Sequence, residues 1–375
     1  MRIGYDAKRA FLNRTGLGNY SRWLIRSMAS YFPQNTYFLY TPKVRHENGL
    51  SFPSSFQNVV AVVPRSKFFT SLWRSSGIVK DLKRDQIELY HGLSHELPRR
   101  IDKKGMRSVV TVHDLIFMRF PQYFGPIDRL IYGMKLKHAC RMADKIVAIS
   151  ERTKQDLVEL LNVPTEKIAV VYQGCDPIFK KDCSEQEKQV VLKKYDLPAE
   201  FVLSVGTIEE RKNLLQLINA LPGLNDDIKL VAVGRHTTYL EKVKQAIDQH
   251  KLNERVIFLD SVSHAELPAI YQSAKIFVYP SRYEGFGIPV LEALYSGVPV
   301  IAASGSCLEE AGGPNSQDAG PDDIKMLTEK LNLVLGDSAL RQKMIAKGKE
   351  YSANFDDQKL AGQMFDIYKN ILQNA

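Results

Sequence analysis

Short apolar segments alternate with longer amphipathic segments along the second half of the chain. Each apolar segment spans four or five residues, is rich in β-branched and aromatic side chains, and is too short for a helix. Near-continuous apolar character is typical of parallel strands buried on both faces. The pattern predicts βαβ units and an open parallel sheet of Rossmann type, with strands at Phe201–Val205, Lys229–Val233, Val256–Leu259, Ile276–Tyr279 and Val300–Ala303.

The first half of the chain repeats this alternation less regularly. Its predicted strands are residues 2–5, 37–40, 59–63, 89–90, 108–112 and 145–149. A chain of 375 residues is too long for one ordinary core, since single cores rarely exceed roughly 250 residues. We therefore predict two α/β domains with doubly wound parallel sheets, residues 1–182 and residues 183–355.

The last segment of the chain has the spacing of an amphipathic helix. Leu360, Met364, Ile367 and Ile371 recur at intervals of three and four residues and would form one apolar face. We expect this helix, residues 356–375, to pack back on the first domain.

Charge is distributed unevenly between the two halves. Residues 1–150 contain 25 Lys and Arg against 10 Asp and Glu, a formal charge of +15, whereas the remaining residues carry −6. A basic body attracts nucleic acid, anionic lipid or an anionic substrate. No nucleic-acid recognition motif accompanies the charge, so a nucleic-acid partner is not predicted.

Targeting signals and metal sites are not readable in the sequence. The start of the chain shows no signal peptide, no apolar run approaches the ~20 residues of a membrane span, and the four cysteines lack metal-ligand spacing. We expect a cytoplasmic protein without a metal or other cofactor. No Ser/His/Asp nucleophile signature is present either.

A glycine loop follows the strand Ile276–Tyr279. It runs Glu284-Gly-Phe286-Gly287 and leads into a helix with Pro289 near its start. Ligands bind at such strand ends in open α/β sheets. Glu284 at the mouth of the loop and Glu292 about one turn inside the helix could each bind a pair of sugar hydroxyls. The alternative is a surface loop with two solvated glutamates.

A second candidate segment follows the strand Phe201–Val205. Gly206 and Thr207 end that strand, and Arg211 and Lys212 precede the next helix. Two full positive charges at a helix amino terminus suit a diphosphate. Solvated charges on a helix surface are the alternative.

Weaker candidates lie in the first half. Gly16 and Gly18 precede a predicted helix over 19–27, but a lone Gly-x-Gly is more often only a turn. His113 follows the strand 108–112 and could line a cleft. His91 follows another strand, and we expect it to be a buried structural histidine.

Together these segments resemble the retaining glycosyltransferases of family 4, which have the two-Rossmann-domain GT-B architecture. The resemblance covers nearly the whole chain, and its most specific element is Glu284-x7-Glu292. The matching segments are Gly-Leu-Gly at 16–18, Val-His-Asp-Leu at 112–115, Ala-Ile-Ser-Glu at 148–151, and the longer runs 205–213, 280–293 and 296–300.

The resemblance implies a role for each candidate residue in binding a nucleotide-sugar donor. Arg211 and Lys212 would hold the donor diphosphate without a divalent metal, Glu284 would bind the hydroxyls of the transferred sugar, and Glu292 would bind the ribose. His113 would reach the sugar from the opposite wall of the cleft. Backbone groups complete the predicted donor site, at Gly16, Gly18, Gly206, Thr207, Phe286, Gly287 and Ile288.

The reaction implied is transfer of a hexose with retention of the anomeric configuration, by front-side attack of the acceptor. The similarity is greatest to bacterial mannosyltransferases of polysaccharide and lipopolysaccharide assembly, so GDP-mannose is the preferred donor and UDP-sugars come next. A saccharide or lipid-linked saccharide would be the acceptor. A nucleotide-sugar epimerase of the same fold and a silent binding module are the remaining alternatives.

Two departures from the family pattern affect these expectations. The polar run 313–320 stands where the family has an apolar strand, which would be weakened, looped or disordered here. Asp260 stands where glycine is common, close to the expected position of the base.

Membrane contact is also predicted from local sequence. The segments 67–74 and 129–145 combine bulky apolar residues with positive charge, a mixture that suits an anionic lipid surface. We expect peripheral association with the inner face of the cytoplasmic membrane. Core helices with a solvated basic edge are the alternative.

Overall fold

The computed structural model describes residues 1–13, 15–44, 56–66, 68–99, 101 and 105–373. The chain divides into two compact units, Met1–Gly174 together with Phe355–Ala375, and Cys175–Asn354. Each unit contains a parallel sheet covered by helices, so the predicted α/β architecture is confirmed. Lys67, the first residue of the segment 67–74 that was predicted to contact the membrane, lies outside the described residues.

The boundary between the units differs from the predicted position at 182/183. It falls after Gly174, because the one-turn helix Pro177–Lys180 packs with the second unit. Phe179 is fully buried there, with its ring 5.6 Å from that of Tyr271. The polar residues that follow position 183 begin α8 (Glu185–Lys194), which Ser184 and Glu187 cap reciprocally.

Within the described residues, the sheet of the first unit has seven parallel strands in the order β3-β2-β1-β4-β5-β6-β7. The strands are β1 (Arg2–Asp6), β2 (Thr36–Tyr40), β3 (Val59–Val62), β4 (Leu89–Gly92), β5 (Arg107–Val112), β6 (Lys145–Ala148) and β7 (Ile168–Val170). Six of these were predicted, with small differences at their ends, and β7 was not. The strand order changes direction at β1, which pairs with β2 on one side and with β4 on the other.

Helices cover both faces of this sheet. They are α1 (Lys8–Leu12), α2 (Gly16–Tyr31), α3 (Thr70–Leu72), α4 (Ile78–Arg84), α5 (Ile116–Arg119), α6 (Pro126–Met142) and α7 (Glu151–Leu161), with a π-helical turn at Trp73–Gly77. The core between sheet and helices includes Leu82, Tyr90, Val110, Ala139 and Leu157. Helix α2 begins three residues before the predicted start, so Gly16 and Gly18 lie in its first turn.

The sheet of the second unit has six parallel strands in the order β10-β9-β8-β11-β12-β13. The strands β8 (Phe201–Val205), β9 (Lys229–Val233), β10 (Val256–Leu259), β11 (Ile276–Tyr279) and β12 (Val300–Ala303) have the predicted bounds, and β13 (Gln317–Ala319) adds an edge. The polar run 313–320 thus contains a three-residue strand, because backbone pairing with β12 suffices at an edge.

Eight helices belong to the second unit: α8 (Glu185–Lys194), α9 (Leu214–Ala220), α10 (Leu240–Gln249), α11 (Leu267–Ser273), α12 (Ile288–Tyr295), α13 (Leu308–Gly312), α14 (Ile324–Gly336) and α15 (Ser338–Ser352). Their apolar faces form the core with β8, β9 and β11.

The last helix, α16 (Asp357–Gln373), belongs to the first unit. Leu360, Met364 and Tyr368 are fully buried. The Tyr368 hydroxyl lies 2.6 Å from Nδ1 of His91. Trp23 of α2 donates its indole N–H to Asp357 at 2.8 Å. Polar contacts as well as an apolar face therefore hold the end of the chain on the sheet.

Candidate functional site

The two loops singled out in the second unit leave neighbouring strands. β8 lies beside β11 in the sheet, and β9 lies on the other side of β8. The strand order changes direction at β8. Its neighbour β9 follows it directly in sequence, whereas its other neighbour, β11, comes three strands later. Such a switch point opens a crevice at the carboxyl ends of the strands. The topology therefore brings the segments 206–213 and 280–287 together.

Glu284 is the centre of the cluster that these loops form. Its side chain is only 12% exposed, and Oε1 lies 2.6 Å from Nζ of Lys212 and 2.8 Å from a guanidinium nitrogen of Arg211. Ser281 donates its hydroxyl to the same oxygen at 2.6 Å, and Tyr279 does so at 3.2 Å. One carboxylate thus receives two cations and two hydroxyl groups.

The surrounding charges keep Glu284 ionised. Burial by itself raises the pKa of this carboxyl, but Lys212 and Arg211 outweigh it and lower the pKa to about 2. Arg211 is fixed further by Glu209, whose carboxylate lies 2.8 Å away, and by the Tyr283 carbonyl at 2.6 Å. The cluster is an oriented set of charges in a largely buried position, which suits electrostatic stabilisation of a ligand.

Arg211 and Lys212 precede the next helix, as the sequence suggested, but a separate turn holds them. They belong to a single 3₁₀ turn, Glu210–Lys212, and α9 begins after Asn213, which has a left-handed backbone with φ of 57°. The Asn213 side chain donates to the carbonyls of Pro280 and Pro321. This buried amide ties the cation-bearing turn to the neighbouring loop and so fixes where the two cations point.

Glycines bring the ends of β8 and β9 close together. Gly206 and Gly234 both have positive φ, 155° and 156°. A Cβ at Gly234 would stand 1.8 Å from the carbonyl oxygen of Gly206. Only a glycine at position 234 permits this approach of the two backbones.

The thiol of Cys307 contacts the backbone of the loop before α12. Cys307 is fully buried, and its Sγ lies 3.0 Å from the Glu284 carbonyl oxygen and 3.1 Å from that of Phe286. Gly287 caps α12 with φ of 113°, and a Cβ there would stand 2.6 Å from Leu308. The amino end of α12, beginning at Ile288, is thereby presented with a defined backbone geometry.

Glu292 lies one turn into α12, in a different environment from Glu284. Tyr271 donates its hydroxyl to Oε2 at 2.9 Å. Burial raises the pKa of Glu292 to about 7, and the Tyr271 hydrogen bond and the charge of His264 only partly oppose that rise. The structure therefore separates the two glutamates chemically: one is ionised at any physiological pH, and the other titrates near neutrality.

The candidates of the first unit occupy the strand ends of its own sheet. His113 follows β5 and is buried, with Nε2 2.8 Å from the Leu93 carbonyl and its ring stacked on His95 at 5.4 Å. Burial and the neighbouring His95 lower the pKa of His113 to about 3. The imidazole is consequently neutral, and Nε2 donates to the carbonyl.

The two glycines at the start of α2 differ in what they require. A Cβ at Gly18 would stand 1.9 Å from the backbone oxygen of Asn13, whereas a Cβ at Gly16 would meet nothing within 4 Å. Gly18 is therefore required by close backbone contact, and Gly16 leaves an open surface at the amino end of the helix.

His91 is a structural histidine, as predicted. It is fully buried, and its two ring nitrogens lie 2.6 Å from the Tyr368 hydroxyl and 2.8 Å from the Thr111 hydroxyl. Sequence reasoning missed Tyr279, Ser281, Cys307 and Tyr271 as partners of the loop glutamates. The signal available for two of them was their position at or just after the end of β11.

No group of three or more His, Cys, Asp or Glu side chains in the described residues is placed to hold a metal ion. Likewise, within those residues, no helix combines the length and apolarity that a bilayer span requires.

Comparison with known proteins places these features in a family. The model for glycosyl transferases group 1 matches residues 185–351, and that for glycosyltransferase family 4 matches residues 24–178. The O-antigen chain mannosyltransferase B of Escherichia coli is 28% identical, over 95% of this chain and 96% of that protein. The O-antigen chain mannosyltransferase RfbU of Salmonella typhimurium is 29% identical over 58% of this chain and 57% of its own length.

Solved structures share the fold. A glycosyltransferase from Rickettsia africae superposes with a TM-score of 0.78 at 19% identity, covering 100% of this chain and 99% of the other. HepE of Anabaena, solved with UDP and glucose, superposes with a TM-score of 0.75 at 17% identity, covering 99% and 100%. The two family models between them account for both units, and the chain belongs to the family 4 glycosyltransferases with the GT-B fold.

Proposed function

We propose that this protein transfers a mannose residue from GDP-mannose to a saccharide acceptor during assembly of a cell-surface polysaccharide or lipopolysaccharide. The cluster of Glu284, Arg211 and Lys212 at the switch point of the second sheet carries the proposal. It combines a permanently ionised carboxylate, suited to sugar hydroxyls, with two cations suited to a diphosphate. Relatives named as O-antigen mannosyltransferases support the sugar and the pathway.

In the proposed donor complex each part of the nucleotide sugar meets a distinct group. Glu284 accepts hydrogen bonds from the hydroxyls of the transferred sugar, and Glu292 accepts those of the ribose. Arg211 and Lys212 bind the diphosphate, together with the backbone N–H groups of Phe286, Gly287 and Ile288. Gly206, Thr207 and Gly16 contribute backbone groups, Gly18 lets the start of α2 lie close to the backbone of Asn13, and neutral His113 contacts the sugar.

The proposed chemistry retains the anomeric configuration and needs no divalent metal. The acceptor hydroxyl attacks the anomeric carbon on the face from which the diphosphate leaves, and the bond from that carbon to the diphosphate oxygen breaks. The hydroxyl proton passes to the departing phosphate oxygen. Arg211 and Lys212 stabilise the negative charge that grows on the leaving group, which is the role of preoriented cations at a developing anion.

The preference for guanine rests on one further residue. Asp260 is exposed immediately after β10, at the same edge of the sheet as the ends of β8 and β9. A carboxylate accepts two hydrogen bonds at once from the adjacent N1–H and N2–H₂ of guanine, whereas uracil offers one N–H between two carbonyls. Replacing Asp260 by Asn should therefore reduce the preference for GDP over UDP, and an unchanged preference would refute this role.

We further propose that the protein works at the inner face of the cytoplasmic membrane on a lipid-linked acceptor. Two segments of the first unit expose large apolar side chains: Phe68 and Phe69 are 92% and 69% exposed, and Ile127 and Leu130 on α6 are 72% and 63% exposed. In sequence, Arg74 follows the first segment and Arg129 lies within the second. Exposed apolar groups within a basic surface are typical of interfacial binding to anionic lipid.

A ligand and turnover series tests the proposal. Thermal unfolding is measured with GDP, UDP and ADP, followed by transfer assays with the corresponding sugars and incubation with donor alone to detect an epimer. We expect the greatest stabilisation with GDP, and transfer from GDP-mannose without epimer formation. Stabilisation by none of the three nucleotides would contradict the assignment as a nucleotide-sugar enzyme.

A further inference from the structure

Five polar side chains form a continuous network on one face of the sheet in the first unit. Tyr5 of β1 pairs in register with His91 of β4, and Thr111 of β5 lies two residues beyond the partner of His91, so all three point to the same side. Nδ1 of His91 lies 2.6 Å from the hydroxyl of Tyr368 on α16, which lies 3.3 Å from that of Tyr5. Nε2 of His91 lies 2.8 Å from the Thr111 hydroxyl, which lies 3.0 Å from the hydroxyl of Tyr20 on α2. This polar network therefore connects the last helix of the protein to α2 across the sheet.

The polar network is enclosed by the core of the unit. Tyr5, His91, Thr111 and Tyr368 have no exposed surface, and Tyr20 is 2% exposed. Burial lowers the pKa of His91 to about 3, so its ring is neutral and donates from one nitrogen while it accepts at the other. Apolar side chains of similar shape would fill this space without the cost of burying polar groups. A fully bonded network instead fixes the orientation of each ring, which points to a function that depends on ring position.

The polar network ends against His113, the residue of the first unit proposed to contact the donor sugar. The ring of Tyr20 lies 4.6 Å from that of His113 and perpendicular to it, and His95 stacks on His113 with ring centroids 5.4 Å apart. Thr111 holds both neighbours: its hydroxyl contacts Tyr20, and its carbonyl accepts the His95 backbone N–H at 2.9 Å. Loss of the Thr111 hydroxyl would therefore free one side of the packing that holds His113.

The backbone of His95 is a second sign that the position of His113 matters. His95 has a φ of 62°, in the left-handed region that is uncommon for residues other than glycine. In this conformation its Nε2 accepts the backbone N–H of His113 at 3.1 Å. Residues in such conformations persist where their surroundings over-determine them, and they cluster at ligand sites. The contacts that hold His113 are thus maintained at a conformational cost.

We propose that Tyr368 of α16 is a positioning residue for His113 and acts on it through the polar network. Without the Tyr368 hydroxyl, His91 loses the partner that fixes its ring, and the anchor of Tyr20 loosens in turn. The last helix thereby completes the wall from which His113 meets the transferred sugar. The inference rests on the proposed role of His113 toward the donor, but the position of its ring can be measured without turnover.

The structural test compares three variants that each remove one hydroxyl and keep the shape of the side chain. Y368F and T111V interrupt the polar network. The matched control Y40F removes the hydroxyl of another buried tyrosine in the same unit, which donates to Asp85 at 2.9 Å. NMR spectra of the full-length protein with 15N-labelled histidine report the His113 ring, whose signals are assigned by their loss in H113A. We expect these signals to shift or broaden in Y368F and T111V and to match wild type in Y40F.

A kinetic test asks whether the displacement reaches the reaction. Y368F and T111V should each reduce kcat/KM for sugar transfer roughly ten- to hundredfold, as small displacements of groups at a reacting centre do. Affinity for the free nucleoside diphosphate, which lacks the sugar, should stay within about twofold of wild type. T111V/H113A should have the kcat/KM of H113A alone, because a group that acts through His113 has no effect once the imidazole is gone. A purely structural role would lower the melting temperature and leave the His113 signals and kcat/KM unmoved.

The proposal would be wrong if the His113 signals of Y368F and T111V matched those of wild type. Independent, multiplicative losses of kcat/KM in T111V/H113A would also overturn it, and so would equal changes in Y40F, since these would indicate general loosening of the unit. Should T111V fail to fold, Y20F takes its place in both tests. Displaced His113 signals in the variants, together with no transfer from any nucleotide sugar by wild type, would contradict the proposed function and still support the positioning of His113.

Discussion

Replacing Glu284 by Gln tests the role of the donor cluster most directly, because it removes one charge and keeps the shape of the side chain. The carboxylate is held by Lys212, Arg211 and Ser281. A pKa of about 2 instead of the ordinary 4.5 corresponds to about 3 kcal/mol of favourable interaction in the folded, ionised state. E284Q should lose up to that amount of unfolding free energy at pH 7.

The pH dependence of this loss has a definite sign. A carboxylate with a lowered pKa contributes its full stability above the unfolded pKa, and that contribution disappears as the pH falls through the folded value of about 2. The difference between wild type and E284Q should therefore be largest at neutral pH and shrink below about pH 4. Denaturant unfolding at pH 7 and pH 3 measures it, with the exposed Glu254→Gln as the control that should change neither value.

The effect on activity should be larger than the effect on nucleotide binding. Loss of charge-assisted hydrogen bonds to two sugar hydroxyls, at about 1.5–3 kcal/mol each, should reduce kcat/KM by roughly a hundredfold to ten-thousandfold. Affinity for the nucleoside diphosphate should stay unchanged or rise, since Arg211 and Lys212 are released from the carboxylate. Turnover equal to wild type would refute the reasoning, and so would a parallel loss of nucleotide affinity and turnover.

Further predictions concern four positions around the two sheets. Burial raises the pKa of Glu292 to about 7, so nucleotide affinity should rise with pH until about pH 7 and then level off, and Glu292→Gln should abolish the dependence; a dependence that persists in the variant would contradict it. Cys307→Ala should lower the free energy of unfolding by about 1–2 kcal/mol through two lost thiol contacts, whereas an undiminished stability in chemical denaturation would argue against those contacts. Gly18→Ala places a methyl group against a backbone oxygen and should destabilise by at least about 2 kcal/mol, while Gly16→Ala should not; equal melting temperatures would exclude the difference. His113, with its pKa lowered by burial to about 3, should show no imidazole titration between pH 5 and 8 by NMR, and a titrating ring signal would disprove its neutrality.

The strands of the second unit were predictable because of how parallel sheets are buried. β8, β9 and β11 are covered on both faces, so nearly every position is apolar and the run ends where burial ends. The strand β7 was missed, and β13 was expected only in weakened form, because both are short. They are three-residue edge strands, and β13 reads Gln-Asp-Ala, a sequence with no hydrophobic signal.

The site was predictable only in part. Glycines and charges at strand ends located Glu284 and the two cations, because a ligand crevice at a switch point requires small residues and polar groups there. The supporting contacts were not predictable. Cys307 lies 23 residues from Glu284, and Tyr271 lies 21 residues from Glu292; neither distance along the chain corresponds to a local period, so only the tertiary fold shows the contact.

The placement of α16 in the first unit has a consequence for synthesis of the protein. The unit formed by residues 1–174 lacks Tyr368, the hydrogen-bond partner of buried His91, until the end of the chain has been made. The second unit, in contrast, is continuous in sequence. On the ribosome the second unit can therefore complete its fold before the first, and the nascent first unit exposes the surface that awaits its last helix.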